Sequence, residues 1–128
     1  MGLENGVVLK KKNLPEQFNC LATKDRIYGS EIEIAYWRKC YQVRRLIYEA
    51  INMPPENDGV IELSREDVLA IIKTLTKNIK QKWYKYGSPY WEWKEYKINH
   101  RENIRRLRRL ARLMKKYPNV IVEFYDSY

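Results

Sequence analysis

Three stretches of the chain place apolar residues at three- and four-residue steps, the spacing of a helix that buries one side. In the first, Ile32, Ala35, Tyr36, Cys40, Val43, Leu46, Ile47 and Ala50 recur in this way and predict a helix from Ser30 to about Asn52. Ser30 with Glu33 reads as its capping box, and Pro54-Pro55 as its stop. In the second, Ser64 and Asp67 form the same box ahead of Val68, Leu69, Ile72, Leu75, Ile79 and Trp83. A Gly87-Ser88-Pro89 corner leads into the third helix, from about Pro89 to Lys116.

Short apolar segments flank these helices. VVL at 7–9, VIEL at 60–63 and NVIVEFY at 119–125 read as strands, and the last two are expected to pair. The expected fold is therefore α+β but mainly α, a single domain over 1–128. It comprises three helices, a two-stranded element of about 60–63 with 120–125, and a less regular segment at 1–29.

Composition then removes several functional classes. Cys20, Cys40 and the single histidine, His100, supply neither a disulfide framework nor zinc-ligand spacing. The glycines form no phosphate-cradling loop. The serines sit at predicted caps, and His100 has no evident acid or nucleophile to work with. These features predict a protein that is not an enzyme and carries no cofactor or metal. With no apolar run long enough to span a bilayer and no signal peptide, the expected location is the cytoplasm, away from membrane.

The net charge of +9 is concentrated in one place: residues 97–116 hold nine Lys/Arg against a single acid, Glu102. On a helix, Ile104, Leu107, Leu110, Ala111, Met114 and Tyr117 share one side. Arg101, Arg105, Arg108, Arg112 and Lys115 share the other, flanked by Arg109 and Lys116. A solvated face usually alternates sign, whereas like charges at i,i+4 repel. Guanidinium groups in such a row suit phosphate or carboxylate recognition. The expected ligand is polyanionic, and Arg101, Arg105, Arg108, Arg109, Arg112 and Lys115 are its candidate contacts.

Aromatic residues add a second candidate surface. Opposite the apolar side of the first predicted helix lie Ile34, Trp37, Tyr41, Arg44, Arg45 and Tyr48. Rings beside arginines serve base stacking, a protein interface or burial between two layers. Left exposed, this stripe would be a large apolar patch, so covering by a second copy or by the N-terminal segment is expected. The corner segment WYKYGSPYWEWKEY at 83–96 divides its rings. Trp83 belongs to the core side, while Tyr84, Tyr90 and Trp91 can reach a rim beside the basic ridge.

Three stretches also carry a resemblance: YWRK at 36–39, LSREDV at 63–68, and GSPYWEW followed by a terminal EFYDSY. In this order they resemble a group of small accessory proteins encoded by phages and prophages of Gram-positive gut bacteria. The resemblance implies a counter-defence setting and no catalytic activity. The members are usually acidic, so the arginine-rich third helix departs from them.

Together these readings predict a non-enzymatic phage accessory protein that binds a phosphate-rich ligand. It would sequester a nucleotide immune signal, or inhibit a nucleic-acid-handling defence effector of the host. A DNA/RNA-binding regulator is the first alternative. The second is a protein–protein adaptor using the Trp37/Tyr41/Tyr48 face. Localised pockets at subunit junctions would favour a nucleotide-signal trap, and one continuous ridge a duplex or single strand.

Overall fold

The computed structural model describes residues 4–10, 27–28, 31–38, 40–55, 59–79 and 93–127. Strand β1 (Glu4–Lys10) is followed by β2 (Ile27–Tyr28) and β3 (Glu31–Arg38), then helix α1 (Tyr41–Ala50). Strand β4 (Gly59–Leu63), helices α2 (Arg65–Ile79) and α3 (Trp93–Lys116), and strand β5 (Val122–Ser127) complete the order. The strands form one antiparallel sheet in the order β2-β3-β1-β5-β4, four full strands with a two-residue strand at one edge. The helices pack as a layer on it, with α2 between α1 and α3.

This overturns the mainly-α expectation. The pairing of β4 with β5 is present, with Leu63 opposite Val122 and Gly59 opposite Asp126, but it is one side of a larger sheet. The missing strands are β1, longer than VVL alone, and β3, which replaces the first half of the expected Ser30–Asn52 helix. EIEIAYWR has a β-branched, alternating start, yet Ile32 to Ala35 are buried without a break. A strand covered on both faces loses its in/out burial alternation, so apolar residues that also fall at helical steps are read as a helix. A bulge between Val7 and Val8 of β1 leaves Ile34 as the extra residue of β3, which disturbs the alternation further. Glu33, expected as the capping glutamate, is a buried strand residue, and Ser30 lies outside the described residues.

The remaining helices follow their local chemistry. The backbone amide of Ser64 donates to Asp67 Oδ2 at 3.0 Å, and Asp67 N–H donates to Ser64 Oγ at 3.1 Å, so α2 opens with the expected reciprocal cap. Its buried side is Val68, Ile71, Ile72 and Leu75, whereas Leu69, expected inside, is 41% exposed. Helix α1 ends with Asn52 in the left-handed region (φ 58°), Met53 N–H bonding to Tyr48 O and Asn52 N–H to Glu49 O. That pattern satisfies two terminal carbonyls. On α3, Ile104, Leu107, Leu110, Ala111 and Met114 are buried as expected and Tyr117 packs against them.

One polar contact fixes the layer. Strand β2 pairs with Glu31 and Ile32, and among the described residues no strand pairs with the outer edge of β3 farther along. There the buried Asn103 of α3 donates Nδ2 to Tyr36 O at 2.8 Å and accepts from Tyr36 N–H at 3.4 Å. A side-chain amide thus takes the place of a strand.

Candidate nucleic-acid interface

The basic residues of α3 stand where the amphipathic pattern puts them. Arg101, Arg105, Arg108, Arg112 and Lys115 are exposed, and Arg109 is half-buried with interactions of its own. Helix α3 carries ten Lys/Arg against two Glu. Arg105 pairs with Glu102 at 2.9 Å, a pair mostly in solvent and therefore weak. Arg106, off the ridge, shares Glu102 at 3.9 Å. Arg108 donates to Thr76 Oγ1 of α2 at 3.2 Å, leaving its charge unneutralised. Arg101, Arg112 and Lys115 make no ion pair with a described residue. At 1.5 Å per residue, the ridge from Arg101 to Lys115 is about 21 Å long.

The strands carry the opposite sign. Glu4, Glu31, Glu33, Glu62, Glu123 and Asp126 lie on them against only Lys10 and Arg38. Lys10 bridges Glu31 and Glu123 from β1, which raises its pKa through both carboxylates. Among the described residues the strands are thus mainly acidic, while the exposed side of α3 is mainly basic.

The aromatic candidates divide differently. Trp37 and Tyr48 are each 1% exposed and belong to the core with Ile34, so these three members of the stripe lie inside the domain. Their surroundings were not visible in the sequence. Trp37, Asn5, Asp126 and Gly59 stand in one row across the sheet. Asp126 Oδ2 accepts from Tyr48 Oη and Arg44 Nε, each at 2.8 Å, which ties α1 to the last strand. The Tyr48 ring meets Phe124 edge-on with centroids 5.6 Å apart. Trp37 Nε1 donates to His100 Nδ1 at 3.2 Å. Burial then lowers the His100 pKa to about 4, partly opposed by the Leu75 backbone. Arg44 is thus engaged by the core, while Arg45 on the next position is exposed. Tyr41 begins α1, but its side chain lies outside the described residues, as do Trp83, Tyr84, Tyr90, Trp91 and the Gly87-Ser88-Pro89 corner.

A further site was not anticipated. Helices α1 and α2 enclose an open groove of about 550 Å³ lined by Arg45, Leu46, Glu49, Ala70, Lys73, Thr74 and Lys77. Lys73 and Lys77 lie one turn apart on α2, and only packing brings Arg45 of α1 beside them. Among the described residues no group of three or more His, Cys, Asp or Glu could hold a metal ion, and no helix is long and apolar enough to cross a membrane. No protein-family model, curated protein or solved structure matches the chain.

Proposed function

We propose that the chain is a non-enzymatic nucleic-acid-binding module that grips the phosphate backbone along α3. The observation that carries this reading is the exposed row of Arg101, Arg105, Arg108, Arg112 and Lys115, in which Arg105 alone pairs with an acid, Glu102, among the described residues. Non-specific affinity for nucleic acid comes mainly from neutralised phosphates and released counterions, and a long cationic helix face supplies that. The ridge runs for about 21 Å along one helix, which suits a strand better than a compact nucleotide. Burial of Trp37 and Tyr48 removes the main surface of the adaptor alternative. In the phage setting implied by the sequence resemblance, the module would act in the host cytoplasm by covering nucleic acid that a defence effector must handle.

The test is to locate the contact. Adding an unphosphorylated DNA duplex to isotope-labelled protein should move the amide signals of residues 101–115 first. Shifts confined to β1, β3 and β5 would contradict the reading.

A further inference from the structure

The groove between α1 and α2 differs from the ridge in shape and in charge pattern. Arg45 comes from α1, and Lys73 and Lys77 from α2, so three cations converge on one concavity instead of following one helix. All three are exposed, and none makes an ion pair with a described residue, although Glu49 lies in the same lining. Lys73 and Lys77 stand at i,i+4, where like charges repel. The half-buried Ala70 and the buried Leu46 provide an apolar floor, and Thr74 a hydroxyl. The volume of about 550 Å³ falls in the range of small-molecule sites.

We propose that this groove binds a nucleoside phosphate, either as a free nucleotide or as the phosphorylated 5′ end of a strand. Arg45, Lys73 and Lys77 neutralise the phosphate, with Arg45 able to bind it through two N–H groups. The apolar floor takes the sugar or the edge of the base. Glu49 decides between ligands. A carboxylate among the cations repels a continuous run of phosphates, whereas a nucleoside offers hydroxyl and amino donors for it to accept. The ridge is the place for the duplex backbone, and the groove is the place for one nucleotide.

The two sites are separable by experiment. Calorimetric titration with adenosine 5′-monophosphate should give binding that Arg45→Gln/Lys73→Gln/Lys77→Gln weakens at least tenfold with little change in melting temperature. Glu49→Gln should weaken the nucleotide but not inorganic phosphate, a readout that does not depend on the triple variant folding. Preference for a 5′-phosphorylated single strand over the unphosphorylated one assigns the ligand to a strand end. Binding of the mononucleotide without that preference assigns it to a free nucleotide. If wild type takes up neither, or the triple variant binds both as wild type does, the proposal is wrong, whatever the ridge does with unphosphorylated duplex.

Discussion

The Tyr125 hydroxyl of β5 donates to the Glu33 carboxylate of β3 at 2.8 Å, reaching across the strand that lies between them. Gly6 of β1 makes this possible. A Cβ there would stand 2.5 Å from the Ala35 carbonyl oxygen and 2.9 Å from the Tyr125 ring. Gly6→Ala should therefore cost about 1–3 kcal/mol or more by overpacking, measured by urea denaturation. Tyr125→Phe removes a hydrogen bond to a buried carboxyl group and should cost about 1–3 kcal/mol. Burial and Glu33 hold the Tyr125 phenol well above its usual range. A raised acid favours its protonated form in the fold, so this contribution is present below the unfolded value near 10 and is lost as pH rises above it.

Asn103 bonds both main-chain groups of Tyr36 at the outer edge of β3. Asn103→Leu keeps the size but leaves the Tyr36 amide and carbonyl without the side-chain partner. An expected loss of about 1–3 kcal/mol should appear together with faster hydrogen exchange at Tyr36. Unchanged exchange would mean that the edge is held by something else.

His100 makes the fold acid-sensitive. Its folded pKa is lowered to about 4 from the usual 6.5, so the unfolded chain takes up the proton first. Stability should fall as pH drops from about 6.5 to about 4, by about 3 kcal/mol from this group. His100→Gln should flatten that part of the pH profile while remaining less stable than wild type at neutral pH, since Trp37 loses its imidazole acceptor.

Asp126 anchors α1 through Arg44 and Tyr48. Asp126→Ala leaves the half-buried guanidinium without its carboxylate, and breaking such a pair costs about 3–5 kcal/mol. Arg44→Met/Asp126→Leu should recover much of that loss, because the desolvation of both charges disappears with them.

The parts legible in sequence were those set by local chemistry. The cap of α2 needs only Ser64 and Asp67, and the two sides of α3 follow from the helical period of residues 101–117. Strand β3 was hidden because its middle is buried on both faces, and its partner β1 lies far away in the chain. The role of Trp37 and Tyr48 depended on contacts 63 and 78 residues away, with His100 and Asp126. The groove required α1 and α2 to pack side by side, which no spacing within either helix reveals.

The account rests on the ridge, and the salt dependence of duplex binding tests it most directly. Log affinity should fall linearly with log salt at about 0.9 per phosphate contacted. Arg105→Gln/Arg108→Gln/Arg112→Gln should leave the fold intact, since all three side chains are exposed, and make the slope shallower by about 2 to 3. A triple variant with the wild-type slope and affinity would show that the ridge is only a solvated surface.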